Sequence, residues 1–325
     1  MDRIAIGLWG SNGHQIHGKL QDYPQLKLVA VGQLAKPIEQ KLLAEHPDAV
    51  VCSTFEQMLG VAGLQLVSLC SQMRSEQADE AIAALQAGVH VYAEKPCATR
   101  EADLDRILAT VAQSKATFHE MADTVFAQPY WAMRQLIAEG VIGEVVQVST
   151  QKSYPMHERR PLSEKVDGGQ IAQNGVHAMR FVEHITGLQA VTVQAMQTGL
   201  GEMRADSDLQ MASTVMGQLS NGGLFSIIAN YLNPTGFGSW GNEMVRIFGT
   251  KGMVESTDGG KRTRLVVGDE DRGPLDTSVD APDWLTMVLD DVQGCSSMLI
   301  DLETELHPTR MVLRARSVAQ QINKP

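Results

Sequence analysis

Basic stretches, long apolar runs and paired cysteines are all missing from this chain of 325 residues. Its 27 basic and 38 acidic residues leave a net charge of −11, and no local run of Lys or Arg offsets it. That balance favours solubility and argues against attraction to nucleic acid or to anionic membrane surfaces. No segment approaches the roughly twenty apolar residues needed to cross a bilayer. The opening MDRIAIGLWG lacks the apolar stretch of a secretion signal and begins at once as a strand. Four cysteines, Cys52, Cys70, Cys97 and Cys295, are too few and too scattered for a disulfide framework, and no CxxC pair marks a metal site. A soluble protein of the reducing cytoplasm, without a metal, is expected. Internal repeats and low-complexity tracts are absent too.

What is present reads as a globular protein: 43% hydrophobic and 20% charged residues spread along the chain. The length exceeds what one core comfortably holds, so two domains are expected, at 1–122 and 123–325. From Arg3 to about Phe118, short apolar runs alternate with helical stretches. The runs are Ile4 to Trp9, Leu26 to Val31, Ala49 to Cys52, Leu64 to Cys70 and Val89 to Ala93. The clearest helix is Glu76 to Ala87, with Ala78, Ala81, Ile82 and Leu85 at helical spacing before Gly88. This half predicts a doubly wound parallel α/β sheet of the Rossmann type.

After a linking helix around Pro129 to Glu139, Gly140 and Gly143 punctuate the chain and the pattern changes. Val145 to Ser153, Val191 to Thr198, Leu209 to Leu219, Gly223 to Tyr231, Met244 to Phe248, Gly252 to Ser256 and Arg262 to Val267 all read as extended. A largely antiparallel open sheet with flanking helices follows. Asn221-Gly222 signals a type I′ hairpin. Helices are expected at Gly169 to Thr186 and at Thr309 to Ile322, and the last helix is a candidate to pack back on the first domain. Asp258 to Ala281 reads as a surface hairpin followed by loop. The sixteen methionines read as core filler.

The chemistry is carried by a few segments. The first strand leads into Gly7-Leu8-Trp9-Gly10-Ser11-Asn12-Gly13-His14, a turn suited to present backbone N–H groups and a helix N-terminus to a pyrophosphate. In a GxGxxG pattern starting at Gly10, Asn12 and Gln15 replace the second and third glycines. Asn12 is expected to take left-handed dihedrals, which keeps the turn. Gln33, at the end of the second strand, is neutral where an acid would bind the ribose of NAD, and Lys36 lies three residues on. NAD and NADP therefore both remain open. Lys95 ends a buried parallel strand, where α/β sheets place ligands. A structural ion pair with Glu94 is the alternative.

The run Ala87-Gly88-Val89-His90-Val91-Tyr92-Ala93-Glu94-Lys95-Pro96 closely resembles the AGxHVxxEKP signature of the Gfo/Idh/MocA family, named for glucose-fructose oxidoreductase and inositol dehydrogenase. The segment from Gly168-Gly169 to His177 and Arg180 resembles that family's GG…DxGxH motif, with Gln173 standing where the Asp belongs. The resemblance covers nearly the whole chain. It implies an NAD(P)-dependent oxidoreductase that moves hydride between nicotinamide and a carbinol carbon of a sugar, sugar acid, cyclitol or related polyol.

By the same resemblance Lys95 orients and polarises the oxygen, His177 relays the proton and Gln173 holds a hydroxyl. Gln173, His177 and Arg180 are expected on one helix face, with Arg180 suggesting an acidic substrate. The cofactor is expected along Gly10, Ser11, Asn12, Gly13 and His14, Gln33, Ser71 and Gln72, Glu94, Lys95 and Pro96, and Asp123. The substrate is expected at Lys95, Tyr154, Arg159, Gln173, His177 and Arg180. His157 and Arg160 share the same polar loop. The adjacent His119 and Glu120 point to opposite sides of an extended chain and make a poor metal pair.

Relatives commonly pair their open sheets, so a homodimer or homotetramer is expected. The departures at Asn12, Gln15, Gln33, Gln77 and Gln173 leave two alternatives. One is a non-catalytic binding or regulatory relative; the other is an enzyme using NAD transiently in hydrolysis or elimination.

Overall fold

The computed structural model describes residues 3–295 and 298–321. Contacts divide the chain into two compact units. The first runs to Met121 and includes Lys165–Gly168 and Trp284–Leu306; the second holds Ala122–Glu164, Gly169–Asp283 and the chain from His307 on.

In the first unit the strands are β1 (Ile4–Trp9), β2 (Leu26–Gly32), β3 (Val50–Cys52), β4 (Leu66–Leu69), β5 (His90–Ala93) and β6 (Phe118–Glu120). They form one parallel sheet in the order β3-β2-β1-β4-β5-β6. All four β4 residues are buried, which is why this strand reads as a continuous apolar run rather than an alternating one. The connecting helices are α1 (Lys36–Glu45), α2 (Phe55–Leu59), α3 (Gln77–Gln86) and α4 (Glu101–Val111). Strand order reverses between β1 and β4, the switch point where such sheets bind ligands.

One expectation fails here. No α-helix follows the first glycine turn; the chain makes two 3-10 turns, Ile16–Gly18 and Leu20–Asp22. Gly18 interrupts the stretch and Pro24 closes it. Gln15 turns inward to cap the Ile16 N–H at 2.9 Å.

In the second unit, α5 (Tyr130–Ala138) precedes β7 (Val145–Ser153). Then come α6 (Gln170–Gln173), α7 (Gly175–Thr186), β8 (Gln194–Thr198), β9 (Ala212–Gln218), β10 (Leu224–Asn230), β11 (Asn242–Gly249), β12 (Gly252–Thr257), β13 (Arg262–Val267) and β14 (Glu270–Gly273). A two-residue strand β15 (Gln320–Gln321) completes a sheet ordered β14-β13-β12-β11-β7-β10-β9-β8-β15. The pairs β7–β10 and β8–β15 are parallel and the rest antiparallel. Along β10, Phe225, Ile227 and Ala229 are buried while Leu224 and Ile228 are exposed, so the chain covers only one face of this sheet. Helix α7 packs on the covered face, where the Thr150 hydroxyl donates to the Ala178 carbonyl at 3.2 Å.

Several local expectations change. The Asn221-Gly222 hairpin is not type I′, because among the described residues only Gly222 of that pair has positive φ. The predicted 169–186 helix is broken at Asn174, whose side chain donates to the Asn230 carbonyl of β10 at 2.8 Å. Gln173 therefore lies on α6, and only His177 and Arg180 share α7. Trp284–Val292 forms a helix, α8, and α9 spans Leu302–Val318, seven residues earlier in onset than Thr309; the expected end at Ile322 lies outside the described residues. Met58, Met133 and Met179 are core, but Met196, Met203 and Met216 are exposed.

Candidate active site

In the first unit the glycine turn sits at the carboxyl end of β1. Gly10 has φ +74°, and a Cβ there would stand 2.0 Å from the Cys70 carbonyl oxygen, so no side chain fits. Gly13 has φ +126°, and its Cβ would meet the Glu94 carboxylate. Asn12 is not left-handed as expected; the two glycines take the positive φ and free Asn12 for another task. Its side-chain amide donates to the Gln72 carbonyl (3.1 Å) and the Val166 carbonyl (2.9 Å). Gln15 is buried beneath the turn, donating to the Gly10 and Ser68 carbonyls at 3.0 and 3.1 Å and accepting from the Ser68 hydroxyl at 2.6 Å. A side chain thus fills the room that a third glycine would leave.

The turn's N–H groups are largely committed within the chain. Gly10 N–H donates to Gly32, Asn12 N–H to Cys70 and Gly13 N–H to Ser11. His14 offers its N–H (2.6 Å) and its ring Nδ1 (3.0 Å) to the Glu94 carboxylate. Burial opposes the charge on Glu94. His14, Lys95 and Arg74 outweigh that penalty and hold its carboxyl well below the usual range.

Lys95 is only 1% exposed, with Nζ 3.8 Å from Glu94, so the structural ion pair exists beside the functional candidate. Gln77 holds this turn: its Nε2 donates to the Glu94 carbonyl at 2.6 Å, and its Oε1 accepts from Arg74. Arg74 also donates to the Asn12 carbonyl, and its buried Nε meets no partner among the described residues.

Ser11, Asn12, Gln33 and Gln72 gather at one crevice wall, where Gln72 Nε2 reaches the Gln33 carbonyl (2.7 Å) and the Ser11 hydroxyl (3.5 Å). Gln33 is exposed with φ +52°. Ser71 is buried and donates to Glu80, which also accepts from Trp9. Lys36 is exposed and paired with Glu39 at 2.7 Å. Taken together, the two positive-φ glycines of the turn, the oxyanion-holding corner at His14 and the buried Arg74 fit a dinucleotide.

His119 and Glu120 do alternate along β6. His119 joins Glu305 (2.9 Å) and Asp291 (3.1 Å), while Glu120 accepts from the Cys97 N–H (2.6 Å).

In the second unit, the predicted residues Tyr154, His177 and Arg180 are buried, Gln173 is half-buried, and Arg159 and Asp123 are exposed. The Tyr154 and His177 rings meet edge-on with centroids 6.0 Å apart. Arg160 lies 3.7 Å over the Tyr231 ring.

Sequence reasoning missed Lys152. It is buried between strands, ion-paired with Glu243 directly across on β11, and 5.0 Å over the Tyr154 ring. Burial pulls its ammonium below the ordinary lysine value, although Glu243 and then Asp123 act to raise it. A signal existed: Val148, Thr150 and Lys152 share the inward phase of β7. Trp240, tilted against Tyr154 with centroids at 5.9 Å, was missed as well.

A six-stranded parallel sheet with a glycine turn at its switch point, coupled in one chain to an open, mostly antiparallel sheet, defines a two-domain nucleotide-binding oxidoreductase fold. Residues 4–121 match the family model described as the oxidoreductase family with an NAD-binding Rossmann fold. Residues 130–255 match the GFO/IDH/MocA C-terminal domain. The chain belongs to the Gfo/Idh/MocA family.

Over 106 residues it is 32% identical to the dTDP-3,4-didehydro-2,6-dideoxy-alpha-D-glucose 3-reductase of Streptomyces violaceoruber, covering 32% of this chain and 31% of that one. It is 30% identical over 103 residues to an inositol 2-dehydrogenase of Gluconacetobacter diazotrophicus, covering 31% and 30%. The chain thus matches about a third of the length of these curated relatives. A solved structure from Thermotoga maritima superposes with a TM-score of 0.87 at 23% identity, covering 97% of each chain, a likeness of fold. Among the described residues no helix is long and apolar enough to cross a membrane.

Proposed function

We propose that this protein is an NAD(P)-dependent oxidoreductase that transfers hydride between nicotinamide and a carbinol carbon of a sugar, sugar acid, cyclitol or related polyol. One observation carries the reading: a lysine, Lys95, is buried at the carboxyl end of β5 beside a glycine turn whose His14 already holds an oxyanion. The names of the two curated relatives, a nucleotide-sugar reductase and an inositol dehydrogenase, support the polyol class.

The dinucleotide would be held by Gly10, Ser11, Asn12, Gly13, His14, Gln33, Ser71, Gln72, Glu94, Lys95, Pro96 and Asp123, and when bound would supply the hydride acceptor or donor. Lys95 donates a hydrogen bond to the reacting oxygen, His177 takes or returns the hydroxyl proton, and Gln173 orients a neighbouring hydroxyl. Because Gln173 is neutral, it cannot share the proton as an Asp would. Tyr154, Arg159 and Arg180 contact the substrate.

Lys36 gives little support to NADP, since its exposed pair with Glu39 contributes little free energy in either cofactor state. Calorimetric titration with NAD(H) and NADP(H), followed by a nicotinamide absorbance screen over sugars, sugar acids and cyclitols, tests the reading. Lys95→Met should lower kcat/KM at least about a hundredfold. Undiminished turnover in that variant would remove the assignment.

The internally committed N–H groups of the glycine turn favour a second reading, a binding or regulatory relative that has lost hydride transfer. Cofactor binding without turnover of any polyol would select it.

We also infer a homodimer or dimer of dimers through the open sheet. Phe248, Leu224, Met216, Ile228 and Met196 are exposed across its uncovered face, an apolar patch of the kind that marks an interface. The free cysteines, three of them buried, suit a reducing cytoplasm.

A further inference from the structure

The second unit carries a ladder of four rings that leads from His177 out to solvent. His177 meets Tyr154 edge-on at 6.0 Å, Tyr154 meets Trp240 at 5.9 Å, and Trp240 meets His157 at 5.4 Å. Trp240 is its exposed rung: His177 and Tyr154 are 8% and 5% exposed and His157 is half-buried, whereas Trp240 is 56% exposed. Trp9 and Trp284, by contrast, are each 1% exposed core residues, and Trp131 is half-buried.

The open position of Trp240 is built, not slack. Asn233, only 4% exposed, donates through Nδ2 to both the Ser239 and Trp240 carbonyls at 3.0 Å, and the Ser239 hydroxyl donates to Gly241 at 2.9 Å. A buried amide spent on fixing the backbone of an exposed indole gives that ring a defined place and leaves much of its surface to something else.

Cations stand around this ladder: Arg160 is buried and stacked on Tyr231, Arg159 is exposed next to it in sequence, and Lys152, over Tyr154, is buried and paired with Glu243. His157 feels all of this: burial, then Arg160, Arg159 and Arg204, pull its imidazole below the ordinary value. An indole face carries a negative quadrupole that suits the weakly positive C–H face of a sugar ring. A guanidinium suits a carboxylate or a phosphate ester.

We infer that Trp240 is a substrate-stacking platform that makes this enzyme selective for cyclic sugars bearing an acidic group, the ring lying on the indole and the acid facing Arg159. The inference rests on the oxidoreductase reading for its reaction, but not for its binding test. A linear polyol offers no flat C–H face, and a neutral sugar offers nothing to the arginine.

The test uses D-glucuronate, D-glucose 6-phosphate, D-glucose and sorbitol as probes on the full chain. Without cofactor, acrylamide quenching of tryptophan fluorescence reads the exposure of Trp240. The two anionic sugars should protect it, glucose less, and sorbitol not at all; preference between the two anions tells carboxylate from phosphate. Trp240→Ala should abolish the protection and raise Kd or KM for the anionic sugars about tenfold, leaving kcat within about twofold, with Trp240→Phe recovering most of the loss. Arg159→Ala should erase the preference for glucuronate over glucose.

Unaltered sugar affinity in Trp240→Ala, or equal protection by sorbitol, overturns the platform. Turnover that ignores Trp240 sinks the platform alone. Protection that depends on Trp240, in a protein that turns over no polyol with NAD or NADP, sinks the oxidoreductase reading alone.

Discussion

His119 offers the sharpest quantitative test of the first unit. It sits in the middle of β6, 6% exposed, with Nδ1 2.9 Å from Glu305 and Nε2 3.1 Å from Asp291. Burial alone would favour the neutral ring, but the two carboxylates outweigh it and raise the imidazole from 6.5 to about 9. A group whose folded value is raised binds its proton more tightly in the native state. Its stabilisation is therefore complete below about pH 6.5 and is lost as pH rises through about 9.

The shift corresponds to on the order of 3 kcal/mol at most. Urea unfolding followed through buried Trp284, whose indole N–H donates to the Glu120 carbonyl at 3.0 Å, reports on this corner. Between pH 6 and pH 10 the extrapolated stability should fall by up to about 3 kcal/mol. His119→Gln should be destabilised at pH 6 and lose most of that slope. If the wild type keeps its stability up to pH 10, or His119→Gln keeps the full slope, the imidazolium is not what joins β6 to α8 and α9.

Four other outcomes follow from the same geometry. Gly10→Ala places a Cβ 2.0 Å from the Cys70 carbonyl at a left-handed position, so dinucleotide affinity by calorimetry should fall more than about tenfold while circular dichroism stays native. Gln77→Leu strips partners from Arg74 and from the Glu94 carbonyl, and should cost about 1 to 3 kcal/mol in denaturant unfolding. Lys152→Met leaves the Glu243 carboxylate buried without its cation; thermal unfolding should show a clear loss of stability, and Lys152→Met/Glu243→Met should recover much of it. Ile228→Glu with Met216→Glu on the uncovered sheet face should yield monomers by sedimentation, whereas an unchanged assembly would place the interface elsewhere.

The strands that sequence reading found best are those whose side chains declare a period. Ile4–Trp9, Val145–Ser153 and Arg262–Val267 were legible to the residue, because a buried or half-buried strand must repeat its apolar positions continuously or every second residue. Strand β6 was not set among the strands, although His119 and Glu120 read as alternating along an extended chain; its place comes from pairing with β5. Helix α8 follows the charged stretch that reads as loop, and its pattern becomes visible only once Trp284, Leu285, Val288 and Leu289 are seen to be buried.

Composition and pattern by themselves determined the two-domain plan, the parallel and antiparallel sheets, the glycine turn and the strand-end place of Lys95, since local sterics and burial period write these directly into residue order, whereas His177 was marked only by the resemblance to the family. Tertiary structure alone decided that Glu94 lies against His14 and Gly13, that Gln77 holds the Lys95 turn, that Lys152 pairs with Glu243, and that Trp240 stands exposed within a ring ladder. Each joins residues between 17 and 91 positions apart through side-chain contacts, and such partners are chosen by packing in three dimensions, where sequence separation leaves no trace.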